Sequence, residues 1–245
     1  MEPVLATLSV ILTLIVGSML FWLFPLKLLV RLRRRIGETV PCPYRFGWVL
    51  DLRLRRWVYR NVLDRVGLRS GMVALEVGAG TGTFAIRAAR RVGPGGKVIA
   101  VDLQPEMVAK LEKKVQHAGI TNVVTYLAGA YELPLEDASV DCVFFITVLG
   151  EIADPQRALC EAHRVLKDGG VISITEEFSD PDYNWPRETV RLIEQAGFEA
   201  TQRLGSLWLY TLNGRKTESM PPGSPSRTPA PGISTTTAPS AHPTC

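Results

Sequence analysis

Two carboxylates set the chemistry open to this chain. Glu76 stands in the apolar run Ala74-Leu75-Glu76-Val77, just ahead of a glycine-rich turn, Gly78-Ala79-Gly80-Thr81-Gly82. Asp102 ends a second run, Lys97-Val98-Ile99-Ala100-Val101. An apolar run, a tight turn and a helical pattern read as strand, loop and helix. Glycines belong where the backbone takes positive φ or where a ligand must come close. A strand turning sharply into a helix also aims helix N–H groups at whatever lies over the turn. The arrangement suits a small ligand that carries a nucleoside. A dinucleotide seat needs G-x-G-x-x-G, and here the last position is Thr83. A carboxylate at Glu76 would also repel a pyrophosphate, whereas it suits a cation. Asp102 can accept hydrogen bonds from both hydroxyls of a ribose; its alternative role is a helix cap. The turn itself could equally be a plain strand-to-helix connection that holds nothing.

Positioning these groups takes an open α/β sheet. The pattern predicts strands over Met72–Val77, Lys97–Val101, Asn122–Leu127, Cys142–Val148 and Val171–Thr175. Helices are expected over Thr83–Val92, from Gln104 to about Ala118, over Pro155–Leu166 and over Arg187–Ala196. Two last strands, Phe198–Leu204 and Leu207–Leu212, close the sheet as a hairpin. In such sheets ligands bind beyond the carboxyl ends of the strands. Those ends carry Glu76, Asp102 with Leu103, the loop Gly129-Ala130-Tyr131-Glu132, and Ile146 with Thr147. Glu151 follows the fourth strand and is the candidate base or amine-orienting carboxylate; its alternative is to cap the helix from Pro155. Glu176, Glu177 and the loop Asp180-Pro181-Asp182-Tyr183-Asn184-Trp185 would flank an incoming substrate. His163 is a lone helical histidine and receives no role. No metal-ligand spacing is visible. The cysteines, Cys42, Cys142, Cys160 and Cys245, lack C-x-x-C spacing, which argues against a zinc site or a disulfide framework and fits reduced thiols.

The string from Ala74 to Phe84 resembles motif I of class I S-adenosylmethionine (SAM) methyltransferases. Asp102, the Gly129 loop and Arg164-Val165-Leu166-Lys167-Asp168-Gly169-Gly170 extend the resemblance, in the family's order, over roughly residues 68–216. It implies a Rossmann-like, mostly parallel sheet with an antiparallel end strand and helices on both faces. It implies SAM as cofactor, with Glu76 near the methionine end, Gly78, Gly80 and Gly82 beneath it, and Asp102 on the ribose. Leu103, Ala130, Tyr131 and Ile146 complete the implied cofactor set. The family commonly has an aspartate after the loop glycine, where this chain has Ala130. A backbone N–H there could still serve a ring nitrogen, and Glu132 could accept from the adenine amino group. The pattern is closest to the ubiquinone/menaquinone-type C-methyltransferases and their relatives that act on phospholipids and sterols. A methyltransferase fold that binds partners without catalysis stays open as a second reading, and a nucleotide-dependent oxidoreductase as a third.

The 245 residues carry a formal net charge of +4, unevenly spread. Between Val4 and Val30 the only ionic group is Lys27, and the run is long enough to cross a bilayer. Arg31, Arg33, Arg34 and Arg35 follow it, which by the positive-inside bias puts the rest of the chain on the cytoplasmic side. Residues 1–30 therefore read as a single-pass membrane anchor. Residues 31–67 read as basic amphipathic helices, either membrane-facing or packed on the core. Residues 68–216 form the methyltransferase-like domain, and 217–245 a Pro/Ser/Thr-rich tail expected to be disordered. Nucleic acid is not expected as a partner, because the basic residues cluster beside the anchor. A tethered site favours a small lipophilic or lipid acceptor.

Overall fold

The computed structural model describes residues 57–217, together with residues 6, 7, 9–18, 25, 27, 28 and 32. The expected anchor lies largely outside the described residues, as do the basic stretch 33–56 and the tail from 218 onward. Among the described residues no helix is long and apolar enough to cross a membrane. Residues 9–18 are helical, and Val10, Ile11, Leu12, Leu14, Ile15 and Val16 are all exposed.

Seven strands form one sheet: β1 Val73–Val77, β2 Lys97–Asp102, β3 Val123–Leu127, β4 Val140–Ile146, β5 Leu166–Glu177, β6 Phe198–Gly205 and β7 Leu209–Lys216. Their spatial order is β3-β2-β1-β4-β5-β7-β6. Pairing is parallel from β3 through β5, and β7 runs antiparallel to both β5 and β6. The chain runs outward from β1 to β3, then returns to place β4 on the other side of β1. The crevice at that reversal is where ligands collect in open α/β sheets.

Among the described residues of the folded unit, helices cover the faces: α1 Val62–Val66, α2 Ala85–Val92, α3 Pro105–His117, α4 Pro155–Val165 and α5 Pro186–Gln195. Side chains alternate across a strand, so each strand feeds two cores. Ala74, Val98, Ala100, Cys142 and Phe144 pack with Val62, Leu63, Ala88, Val92 and Leu111 of α1 to α3. Leu75, Val77, Val101, Val143 and Phe145 pack on the other face with Leu159, Ala162 and Ile193 of α4 and α5. Burying each large side chain contributes about 1.5–3 kcal/mol. Tyr59, Val62, Leu63 and Val66 are among the buried residues, so the folded unit begins ahead of Leu68.

Two boundaries differ from expectation for a local reason. Val140 pairs with Leu166 and Cys142 with Val171, so residues 167–170 bulge out of the ladder. The predicted turn is thus an interruption within β5, with Gly169 at φ 70°. Lys167 is held there by Asp141, whose other carboxylate oxygen accepts from the Val73 N–H at 2.7 Å. The fourth strand stops at Ile146 because Thr147 takes a φ of 54°, with its N–H donating to the Thr175 carbonyl at 2.8 Å. Non-glycine residues hold such a conformation only where their surroundings enforce it.

Candidate cofactor and acceptor site

Alternation along β1 sends Glu76 to the same face as Ala74, where the apolar core of α2 lies. Its neighbours across the ladder are Ala100 and Phe144. The side chain is fully buried, and its Oε2 has no hydrogen-bond partner among the described residues. Burial, reinforced by the nearby charge of Asp102, holds the Glu76 carboxyl well above the ordinary carboxylate range. A buried oxygen without a donor costs about 1–3 kcal/mol, and folded chains rarely keep one without a use for it.

The turn above Glu76 is built by its own acceptors. Gly78 and Ala79 both donate to the Val101 carbonyl, at 2.8 and 3.0 Å, and Gly82 donates to Ala79 at 3.0 Å. The Gly80 N–H reaches Asp102 Oδ2 at 2.8 Å. These four amides are committed to protein oxygens, so they do not form an anion nest, and the turn disfavours a pyrophosphate. Gly78, Gly80 and Gly82 all take positive φ. At Gly78 a Cβ would strike the Val148 side chain, so the close approach of β1 and β4 also requires glycine.

Asp102 is buried at the end of β2, and its Oδ1 accepts from the Gln104 N–H at 2.9 Å. Burial raises its carboxyl pKa, opposed by the backbone donors of Gln104, Gly80 and Leu103. Asp102 thus braces the turn ahead of α3, whose N-cap is Gln104, and does not itself cap the helix. Three donors leave the two oxygens room for a further one. Leu103 beside it is exposed, and Ile146 is buried at the end of β4. The Ala128 N–H donates to the Asp102 carbonyl at 3.0 Å, which brings the Ala130 loop to the same edge. Glu76, Gly78, Gly80, Asp102, Leu103, Ala130 and Ile146 thus all lie at the carboxyl ends of the strands.

Tyr131 and Glu132 turn toward α4. The Tyr131 hydroxyl accepts from the Asp154 N–H at 2.9 Å, and the Arg157 guanidinium lies 4.9 Å from its ring centre. Glu132 is ion-paired with the same arginine at 3.2 Å. One face of Tyr131 is therefore already covered. The loop is clamped further by Arg164, which donates to the Leu133 and Leu135 carbonyls and pairs with Asp137 and Glu161. Glu151 closes a short 3-10 turn, Leu149–Glu151, against the Val148 carbonyl. It does not cap α4: Asp154 does, accepting from the Arg157 N–H at 2.9 Å. His163 is buried edge-on against Phe198 at 5.2 Å.

The family model that matches this chain is a methyltransferase domain, over residues 68–202. The chain belongs to the methyltransferase domain family. The cofactor implied by the family and its fold is S-adenosylmethionine. The residues fit it: an unpartnered buried carboxylate oxygen suits an ammonium, and Asp102 has room left for a hydroxyl. A ubiquinone/menaquinone biosynthesis C-methyltransferase UbiE of Pasteurella multocida is 35% identical over 134 residues, 54% of this chain and 50% of that protein. The demethylmenaquinone methyltransferase of Geobacillus stearothermophilus is 34% identical over 148 residues, 60% of this chain and 63% of that protein. The chain thus spans about half the length of the curated relatives it matches. Among solved structures, a SAM-dependent methyltransferase from Aquifex aeolicus superposes with a TM-score of 0.66 at 26% identity. That match covers 72% of this chain and 100% of the other.

Sequence reasoning missed two contacts at the carboxyl edge of the sheet. Lys27 lies over the Phe178 ring at 3.9 Å and donates to the Phe178 carbonyl. The Tyr59 hydroxyl donates to Glu177 at the end of β5. Both bring N-terminal residues to the carboxyl edge of the sheet across long stretches of chain, where no local pattern could signal them.

Proposed function

We propose that this chain is a membrane-tethered methyltransferase that moves a methyl group from SAM to a small lipophilic or lipid acceptor. The observation that carries the reading is the buried Glu76 Oε2, held open beside Asp102 at a turn whose amides are already satisfied. Glu76 would hold the cofactor's ammonium and Asp102 a ribose hydroxyl, with Leu103, Ala130 and Ile146 lining the base. Bound SAM supplies a methyl group already activated by its sulfonium, so the protein's task is proximity and alignment. Glu151, which follows β4 at the carboxyl edge of the sheet, would orient an amine or take a proton from a carbon or oxygen acceptor. The names of the relatives, a ubiquinone/menaquinone C-methyltransferase and a demethylmenaquinone methyltransferase, support a quinone-type or other lipophilic acceptor. The exposed apolar helix at residues 9–18 and the arginines after the run support a membrane tether, with the domain on the cytoplasmic side.

Calorimetry with SAM, followed by labelled SAM and a membrane lipid extract, tests the proposal. Saturable binding and a labelled lipid product are expected. Equal methylation of a soluble molecule by an anchor-deleted chain that ignores vesicles would refute the tether. A second reading, a non-catalytic binding module, draws on Ala130 and on Glu132 being committed to Arg157; undetectable SAM binding would select it.

A further inference from the structure

Beyond the end of β5, four aromatic rings pack together, and an amine lies over two of them. Phe178 meets Tyr183 at 5.4 Å, Trp208 at 5.5 Å and Trp185 at 6.1 Å between ring centres. The Lys27 ammonium sits between the first two, 3.9 Å from the Phe178 centre and 5.2 Å from that of Tyr183. Beneath them Glu176 is buried, with Oε1 accepting from Asn184 at 3.0 Å. Its charge contributes to raising the Tyr183 hydroxyl pKa, second to burial, so its field reaches the rings. Trp185 and Trp208 are about half exposed, which leaves the cluster open at its rim. The neighbouring wall belongs to the acceptor side: a Cβ on Gly150, next to Glu151, would collide with the Asp182 carbonyl.

Ring faces are negative and attract cations, most strongly where water is excluded. Lys27 also donates to the Phe178 carbonyl, which holds its ammonium at the rings, with the Glu176 carboxyl below. Lys27 is moreover the only ionic group in a long apolar run, where a charge is expensive. We propose that Phe178 and Tyr183, with Trp185 and Trp208 at the rim and Glu176 below, form an aromatic site for an ammonium group carried by the methyl acceptor; that ammonium anchors the acceptor and is not the atom that takes the methyl, because it has no lone pair with which to displace the sulfide. Lys27 fills it until the acceptor displaces it. This rests on the methyltransferase reading and narrows its substrate class to acceptors that carry an ammonium.

The full-length chain in lipid nanodiscs would be titrated with choline and with its neutral isostere, 3,3-dimethylbutan-1-ol, by calorimetry. Lys27→Met removes the internal competitor, so choline should bind about 2- to 30-fold more tightly, the span of one cation–π contact. Phe178→Leu added to it should cancel the gain; Trp208→Leu replaces that variant should it not fold. The isostere should bind markedly more weakly than choline. Equal binding of the isostere, or no gain from Lys27→Met, would overturn the aromatic site and leave Lys27 as a tether. Titration with ethanolamine and with phosphatidylethanolamine against phosphatidylglycerol vesicles separates a free amine from a lipid head group, and silence from both amines would also overturn it. SAM titrations of the same variants keep the readings apart. Intact SAM binding without amine binding defeats only the aromatic site. Lost SAM binding in the wild-type chain defeats the methyltransferase reading, while choline still reports on the aromatic site.

Discussion

Glu76→Gln should make the protein more stable and worse at its task. The native carboxyl is buried with one oxygen unpartnered, and its pKa lies well above the ordinary 4.5. In the unfolded chain the same group ionises near the ordinary value. As pH rises past that point the unfolded state sheds a proton that the native state keeps. Stability from this group is complete below the unfolded pKa and is lost as pH climbs through the folded one. The slope is about 1.4 kcal/mol per pH unit within the window. For a domain of this size that equals about 3–6 °C in melting temperature per unit. Glutamine cannot ionise, so the variant should lack this slope. Asp102 also has a raised pKa and remains in both proteins, so the difference between their curves isolates Glu76. The two curves should converge near about pH 5 and separate toward about pH 8, with the variant on top. The same change removes the charged acceptor for a ligand ammonium, which is worth about 1.5–3 kcal/mol, or about 10- to 150-fold in SAM affinity. Thermal melts across pH, paired with calorimetry, read both effects. Parallel melting curves, or undiminished SAM binding by the variant, would refute the reasoning.

Gly80→Arg should abolish SAM binding, because Gly80 holds φ 53° and its N–H anchors Asp102; calorimetry that matches wild type would count against the site. Glu151→Gln should lower turnover about 10²- to 10⁴-fold if the carboxylate moves a proton, with SAM affinity by calorimetry unchanged; undiminished turnover would remove Glu151 from the chemistry. Asp154→Ala, by contrast, should cost about 1 kcal/mol in a denaturant melt. Arg164→Ala should destabilise by about 2–4 kcal/mol and speed proteolysis in residues 128–139, because it strips the clamp from two carbonyls and leaves Glu161 half-buried without its partner.

The parallel strands were legible because buried strands read as continuous apolar runs, and the turns between them carry Gly, Pro or Asn. The end hairpin was placed by its resemblance to the closing strands of the family's sheet, since β6 is largely exposed and carries no apolar run, and β7 runs on to Lys216. Glu76 and Asp102 stood out as acids at the ends of such runs. Which hydrogen bonds they keep could not be read, since Gly80 and Asp102 meet only once the strands have paired. Sequence left Glu151 undecided between two roles, and the three-dimensional position of Asp154 resolves one of them. Residues 167–170 looked like a turn because local composition reports bending, whereas whether a bend ends a strand or bulges within it depends on the partner strand. Lys27 over Phe178 was out of reach altogether, because residues that far apart in the chain share no local signal.

The long reach of Lys27 bears on how soluble versions of this protein are made. Cutting away the greasy leader is the usual first step toward purification, and a cut after residue 30 would discard this lysine with it. The truncated product would present a bare cluster of rings at its rim, prone to self-association or to capturing buffer amines. Shorter trimming that stops ahead of Lys27 would keep the native cover in place, so comparing the two truncations separates loss of the leader from loss of its last charge.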